Sequence, residues 1–312
     1  MWVSTSWNYL PGAFLRSQGA LGAERIHFDS GYHRLVRNVA NRRSVMKSTR
    51  VCLLDGGSMA IDGHKIYWNR GPAGDIRFPV YSVLVEHENG LFLYDTGFDL
   101  EFMQRYVPQD QPIQSPDQTL PAQLAKLGYR PEDVTHVIDS HLHIDHCGGN
   151  HLFPRAKIVC HEKEYEQARN PELFEGLSYG AVAWFAPQLV QHRQEIPAGV
   201  DPTLSPDFEL LSGDIEFAPG VWLLETLGHS AGHYSMLVEL RGRRPMLFTG
   251  DAAMTPKNLE MMVVGGFHLD PVAGTRSLQR LKDLAAEHDA ELFTSHSMPE
   301  FETWRKAPEW YE

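Results

Sequence analysis

Short apolar runs separated by turn residues dominate the chain from residue 47 onward. Runs of this length that end at glycine or other turn residues are typical of strands in a sheet. The predicted strands lie at residues 51–54, 80–85, 91–94, 134–139, 157–160, 208–211, 221–225, 235–240, 246–249 and 291–294. The first of them is expected to stop at the turn residues Asp55-Gly-Gly57.

Other segments space their apolar residues at three and four positions, which is the period of a helix. They predict one helix that begins near Thr119 and another at 275–286. Gly128 is a stop signal for the first, because glycine readily takes the left-handed position that follows a helix. Shorter helices are predicted at 131–133 and 162–168. Strands followed by helices in each half predict packed sheets with helices outside them.

Composition narrows the class of protein. The 312 residues are 42% hydrophobic, which is enough for a substantial core. The net charge of -12 argues against a nucleic-acid partner, because such proteins need a basic surface. The three cysteines are too few for a disulfide framework and favour the cytoplasm. No apolar run approaches the roughly 20 residues that cross a membrane, so we expect no membrane segment. The sequence leaves open whether the protein forms a homo-oligomer.

Two stretches lack any clean period. Residues 1–46 carry Arg34, Arg37 and Arg42 close together, so their charge is opposite to that of the rest. We expect them to form an N-terminal extension, poorly ordered, before one domain at 47–312. The stretch at 171–198 is expected to be an insertion that could cover a site.

The densest chemistry of the chain lies at 140–150, which reads Ser-His-Leu-His-Ile-Asp-His-Cys-Gly-Gly-Asn. His141 and His143 are two residues apart, so in an extended segment they share a face and can hold one divalent ion. Asp145 and His146 follow at a turn that the next glycines permit, and they can serve a second ion. Zinc accepts both imidazole nitrogen and carboxylate oxygen.

Three more polar residues follow predicted strands, where a rigid scaffold can present ligands. They are His229, Asp251 and His296. His233 competes with His229 for one ligand role, and we favour His229, with His233 in a supporting position. The turn at 95–97 either hydrogen-bonds the metal-binding loops or simply ends a strand.

The motif His141-x-His143-x-Asp145-His146, followed by His229, Asp251 and His296, resembles the metallo-β-lactamase fold superfamily and specifically its lactone-hydrolysing branch. The strings at 55–58, 68–72, 79–82, 145–150 and 267–274 are most similar to those of 4-pyridoxolactonases, with N-acyl-homoserine lactonases next. The resemblance implies an α/β fold, an αββα metallo-β-lactamase-like sandwich with a dimetal site at one edge between the sheets.

The resemblance also implies two zinc ions per chain. The first would be held by His141, His143 and His229, the second by Asp145, His146 and His296, with Asp251 bridging them. Hydroxide activated by the zinc ions would open the ring of a small-molecule lactone, and Asp145 would pass a proton to the departing alkoxide. The substrate that the resemblance implies is 4-pyridoxolactone or a similar fused aromatic lactone, as in vitamin B6 degradation.

Several residues bear on the choice of substrate. A fused pyridine ring would suit stacking and polar partners in one loop, namely Trp68, Asn69 and Arg70. The similar lactonases usually carry a tyrosine three residues after the bridging aspartate, and this chain has Met254 there. A thioether cannot donate a hydrogen bond to the substrate carbonyl. The candidate replacements are Tyr179, Tyr234 and His268.

Three alternatives stay open. The nearest is an N-acyl-homoserine lactonase, whose acyl chain needs a long apolar groove. Another is an ester or thioester hydrolase of the same fold, although glyoxalase-like thioesterases append a helical domain for which too few residues follow His296. The last is a metal-binding protein without catalysis, which Met254 alone favours.

Overall fold

The computed structural model describes residues 49–172, 174–175, 178–179 and 207–312. The extension expected at 1–46 and most of the insertion expected at 171–198 lie outside these residues. The predicted boundary at residue 46 therefore stays a prediction.

Eleven strands form two sheets within the described residues. The first sheet has six strands in chain order: β1 (Arg50–Asp62), β2 (Asp75–His87), β3 (Gly90–Tyr94), β4 (His136–Ile138), β5 (Lys157–His161) and β6 (Phe208–Leu211). The second has five strands in the order β11-β10-β9-β8-β7, comprising β7 (Ile215–Ala218), β8 (Val221–Glu225), β9 (Tyr234–Val238), β10 (Met246–Phe248) and β11 (Glu291–Phe293). Strands β3 to β6 are parallel, and the other neighbours are antiparallel except β10 and β11.

Apolar side chains from both sheets meet in a shared layer. In β1, Val51 and Leu53 belong to this layer, whereas Cys52 packs on the opposite side of the sheet, because successive side chains of a strand alternate. The second sheet contributes Met236 and Phe248 to the same layer. Both faces of each sheet are thus covered, which explains why the strands read as almost continuous apolar runs.

Helices cover the outer face of each sheet. In the part of the chain that the structure describes, the α-helices are α1 (Gly63–Ile66), α2 (Leu100–Tyr106), α3 (Leu120–Lys126), α4 (Ile144–Cys147), α5 (Glu162–Arg169), α6 (Pro256–Met261), α7 (Pro271–Glu287) and α8 (Met298–Thr303). Leu124 of α3 packs with Leu93 outside the first sheet, and Leu281 of α7 packs with Leu247 outside the second. The αββα sandwich is therefore confirmed.

The helix predictions hold with shifted ends. Helix α3 ends at Lys126, and Gly128 takes the expected left-handed conformation, with φ +82°. Helix α7 begins four residues before the predicted start, at Pro271, because the Asp270 side chain caps it by accepting from the backbone N–H groups of Val272 and Ala273.

One strand prediction was wrong. Strand β1 does not stop at Asp55-Gly-Gly57 but continues to Asp62. Its pairing with β2 shifts register between Asp55 and Ser58, and Gly57 has φ +102°. The glycines therefore form a β-bulge inside the strand instead of a turn. Among the described residues, no helix is both long and apolar enough to cross a membrane.

Candidate dimetal site

Three histidines from two separate loops converge on one point. Nε2 of His141 lies 3.0 Å from Nδ1 of His143, and that Nδ1 lies 3.1 Å from Nε2 of His229. Burial lowers the pKa of His141 and His229 well below the ordinary value, and it lowers the pKa of His143 to about 4. The rings are therefore neutral near pH 7, as metal ligation requires.

A second group lies beside the first. Oδ2 of Asp145 is 3.7 Å from Nε2 of His146 and 3.6 Å from Nε2 of His296, and the ligand atoms of this group all lie within 4.8 Å of one another. Nε2 of His146 is buried and has no hydrogen-bond partner among the described residues. A buried polar atom without a partner is costly. A cation at this point would satisfy it, so the residues present fit a metal ion.

Asp251 stands between the two groups. Its Oδ2 is 3.5 Å from Nε2 of His229, and its Oδ1 is 3.0 Å from Nε2 of His296. Burial alone would raise the pKa of Asp251, but the neighbouring histidines, His296 first, hold it well below its usual range. Ser295 Oγ donates to Oδ1 at 2.7 Å. A carboxylate with one oxygen toward each group has the arrangement of a bridging ligand.

The turn after β3 supports the second group from behind. Asp95 Oδ2 lies 2.8 Å from Nδ1 of His146, and the same carboxylate accepts hydrogen bonds from the backbone N–H and the hydroxyl of Ser140. The contact keeps the proton of His146 on Nδ1 and leaves Nε2 free to bind a metal. Of the two interpretations that the sequence left for this turn, the hydrogen bonds support the first.

His233 lies behind Asp251 and outside both groups. Its Nε2 accepts the backbone N–H of Asp251 at 3.0 Å, so its Nδ1 carries the proton and donates to the Thr226 hydroxyl at 2.8 Å. Both ring nitrogens are thus occupied. Of the two histidines that competed for one ligand role, the structure therefore brings His229 to the converging nitrogens and leaves His233 behind Asp251.

Glu164 is a residue that the sequence did not single out. Its buried carboxylate accepts the backbone N–H of Leu142 at 2.9 Å and that of Gly232 at 3.0 Å. It therefore joins the loop of His141 to the loop of His229. Burial raises the pKa of Glu164 to about 7. Helix α5 is rich in charge, so its sequence gives no sign that one of its glutamates is buried.

A cavity of about 240 Å³ opens beside both groups. Five of the expected ligands line it: His143, Asp145, His229, Asp251 and His296. Most of the remaining wall is apolar and consists of Met59, Ile61, Phe78, Val107, Ile144, Phe174, Met254 and Phe267. The described part of the wall also has four other polar side chains, namely Lys65, Gln109, Asp110 and Ser178. Such a cavity suits a small, partly apolar molecule held against the ligand groups.

The loop expected to contact substrate lies elsewhere. Trp68, Asn69 and Arg70 are exposed, and none of them belongs to the cavity wall. Trp68 and Asn69 take left-handed φ angles of 39° and 61°, which turn the chain away after α1. Of the residues that the sequence assigned to substrate binding, the structure brings only Met254 to the wall.

The candidate replacements for the missing tyrosine also lie outside the wall. The ring of His268 packs edge-on against that of His229, with 5.0 Å between centroids. The ring of Tyr179 packs against His143 at 4.8 Å. The hydroxyl of Tyr234 donates to the carbonyl oxygen of Gly213. None of these three residues therefore replaces the tyrosine hydroxyl in the described cavity wall.

Comparison with known proteins places this site in a family. The model of the Metallo-beta-lactamase superfamily matches residues 75–296. The N-acyl homoserine lactonase AttM of Rhizobium radiobacter is 32% identical over 275 residues, which is 85% of this chain and 100% of AttM. The N-acyl homoserine lactonase AiiA of Bacillus thuringiensis subsp. kurstaki is 29% identical over 278 residues, again 85% of this chain and 100% of the relative.

A solved structure agrees with these relatives. An N-acyl homoserine lactone hydrolase with the product N-hexanoyl-L-homoserine bound at its catalytic metal centre has a TM-score of 0.69 and 27% identity, and the match covers 85% of this chain and 100% of that one. The family model, the sequence relatives and the solved structure thus agree with the two groups of candidate metal ligands. The chain belongs to the metallo-beta-lactamase superfamily, within its lactonase branch.

Proposed function

We propose that this chain is a dizinc N-acyl-homoserine lactonase. The observation that carries the proposal is the cavity, which is mainly apolar and ends directly at the two ligand groups. An acyl chain needs an apolar wall, and the lactone ring must reach the metal ligands. The names of the relatives AttM and AiiA support the same substrate.

The relatives and the cavity favour this alternative over 4-pyridoxolactone, the substrate expected first. Residues 68–70, on which the fused aromatic lactone depended, do not line the cavity. Eight apolar side chains of the described residues do line it, and an acyl chain can pack against them. A role in vitamin B6 degradation therefore has no support in the cavity wall.

In this proposal the ligand roles are those that the resemblance implied. His141, His143 and His229 would hold one zinc ion, Asp145, His146 and His296 the other, and Asp251 would bridge them. Zinc held there supplies Lewis acidity, which lowers the pKa of water and polarises a carbonyl group.

The protein's own residues supply position and a proton path. Ser295 and the backbone contact to His233 fix Asp251 from two sides. The Asp145 side chain is 18% exposed and lines the cavity. When water adds to the lactone carbonyl and the ring C–O bond breaks, Asp145 is placed to carry a proton to the ring oxygen.

The wall makes the proposal quantitative. Each methylene buried against it should contribute about 0.8 kcal/mol, so kcat/KM should rise about fourfold per methylene until the cavity is filled. Four substrates test this with zinc-loaded protein: N-butanoyl- and N-hexanoyl-homoserine lactone, 4-pyridoxolactone and a chromogenic β-lactam. We expect ring opening of both homoserine lactones, faster for the hexanoyl compound. Rapid opening of 4-pyridoxolactone with no action on the homoserine lactones would overturn the substrate, and no hydrolysis of any compound would overturn the function.

Three further expectations belong to this proposal. Residues 1–46 form an extension that precedes the hydrolase domain at 47–312. The protein works in the cytoplasm, which agrees with three free and buried cysteines. Its partners are small-molecule lactones and not nucleic acid, and size-exclusion chromatography with light scattering would decide whether it forms a homo-oligomer.

A further inference from the structure

Two charged side chains in the cavity wall have no task in the hydrolytic step described above. Lys65 lies on α1 and is exposed, and Asp110 ends a short 3-10 helix and is half-buried. Both line the cavity. In the part of the chain that the structure describes, neither side chain forms a hydrogen bond or an ion pair within 4 Å. Lys65 and Asp110 therefore have hydrogen-bonding capacity to offer a ligand.

The structure fixes the position of Lys65. Its carbonyl oxygen accepts the backbone N–H of Gly266 at 2.6 Å, which ties α1 to the segment before Phe267. Its ammonium lies 5.4 Å from the centroid of the Phe267 ring, and Phe267 also lines the cavity. A cation over an aromatic face is weakly held there. The ammonium is thus kept along the wall while its donors stay free.

Hydrogen bonds of the following residue fix the backbone beside Asp110. The next residue, Gln111, accepts a hydrogen bond from Arg77 through its carbonyl oxygen and donates through its side chain to Asp75. Burial raises the pKa of Asp110, the positive charge of Lys65 lowers it, and the charge of Asp145 raises it again. The Asp110 carboxylate therefore interacts electrostatically with both Lys65 and Asp145.

The rest of the wall makes these two residues distinctive. Apart from the expected metal ligands, the described wall has only two other polar side chains, Gln109 and Ser178. The amide that joins an acyl chain to a homoserine lactone ring carries one acceptor, its carbonyl oxygen, and one donor, its N–H group. Lys65 can only donate and an ionised Asp110 can only accept. The pair therefore offers a donor for the amide oxygen and an acceptor for the amide N–H.

We propose that Lys65 and Asp110 recognise the amide of the substrate, with the Lys65 ammonium donating to the amide oxygen and the Asp110 carboxylate accepting the amide N–H. This inference rests on the proposed function and deepens it. Hydrogen bonds to charged groups are stronger than neutral ones. A lactone without an amide gains neither hydrogen bond, so the pair selects acyl-homoserine lactones over plain lactones.

The test compares two lactones of similar chain length. One is N-hexanoyl-homoserine lactone, and the other is an alkyl-substituted γ-butyrolactone that lacks the amide. Lys65→Met and Asp110→Ala should each lower kcat/KM for the amide-bearing lactone by about 10- to 100-fold, the range for a hydrogen bond to a charged group. The same variants should change kcat/KM for the amide-free lactone by less than about threefold.

Two more variants serve as controls. Lys65→Arg keeps a cationic donor and should retain most of the preference for the amide. Lys257→Met removes an exposed lysine of α6 that lies outside the cavity wall, and it should leave both rates unchanged.

The possible outcomes distinguish failure of this inference from failure of the proposed lactonase function. If Lys65→Met and Asp110→Ala lower both rates equally, or leave the rate of the amide-bearing lactone unchanged, amide recognition by this pair is wrong while the lactonase activity stands. A wild-type protein that opens neither lactone overturns the proposed function, and this inference with it.

Discussion

Replacing Asp95 by asparagine should weaken metal binding, most directly at the group that contains His146. The Asp95 carboxylate receives three donors: Oδ1 accepts the backbone N–H of Ser140 at 2.7 Å, and Oδ2 accepts the Ser140 hydroxyl at 2.9 Å and Nδ1–H of His146 at 2.8 Å. Asparagine has the same shape but only one oxygen. It cannot satisfy the same three donors, so the defect is electronic and not steric.

Each orientation of the asparagine amide has a definite cost. If its oxygen stays on the Ser140 N–H, its NH₂ group faces Nδ1 of His146. The histidine then moves its proton to Nε2, the atom that should bind the metal. If the amide flips, NH₂ faces the Ser140 N–H at 2.7 Å, and a buried donor without an acceptor costs about 1–3 kcal/mol. Loss of such a supporting partner typically lowers metal affinity about 10- to 100-fold.

Competition with a chromophoric chelator measures this effect directly. Wild-type protein should bind two zinc ions, and Asp95→Asn should bind at least one of them about 10- to 100-fold more weakly. Asp99→Asn is the matched control: Asp99 caps α2 by accepting from the backbone N–H of Phe102, and asparagine caps about as well. Two sites of wild-type affinity in Asp95→Asn would refute the argument that Asp95 sets the protonation of His146.

Three other changes have defined outcomes. Met254→Tyr restores a hydroxyl beside the site, so kcat/KM should rise well above that of Met254→Phe, since one oxyanion donor contributes about 100- to 1000-fold; equal rates in the two variants would contradict this. Removing metal with a chelator should abolish hydrolysis and lower Tm, because the ions bind only the folded chain, and zinc should restore both; His143→Ala should retain fewer ions by metal analysis. Burial raises the pKa of Glu164 from 4.5 to about 7, so the folded state binds the extra proton between these pH values and the free energy of unfolding falls as pH rises through that window. Urea unfolding from pH 4.5 to 8 should show a steeper fall for wild type than for Glu164→Gln, and identical slopes would disprove the assignment.

The sequence predicted most of the fold because burial on two faces leaves a simple signature. The run at 91–94 is apolar throughout and the run at 157–160 is apolar after Lys157, and their strands begin and end within one residue of the prediction. The short edge strand Ile215–Ala218 was missed, since Glu216 interrupts its apolar pattern. Gly57 was interpreted as a turn, because a bulge and a turn require the same left-handed backbone.

The candidate site was predictable to the extent that its residues form a motif. Four of the ligand candidates are clustered in sequence, and the other three follow strands. Glu164, Lys65 and Asp110 escaped because only the tertiary fold brings them to the site, and an isolated charged residue on a short helix reads as solvated surface. Trp68 shows the opposite error, since similarity of a sequence string does not place its side chains in the cavity.

Each sheet consists of one uninterrupted stretch of chain, with β1–β6 first and β7–β11 second. During synthesis the strands of the first sheet can pair before the second sheet has been translated. At that stage the nascent chain carries His141, His143, Asp145 and His146 but none of their partners. His296, the last of the seven, emerges only after the final strand. We therefore expect zinc to bind tightly only after the chain has been translated past His296. Truncated chains should bind zinc loosely and lose it to cellular chelators.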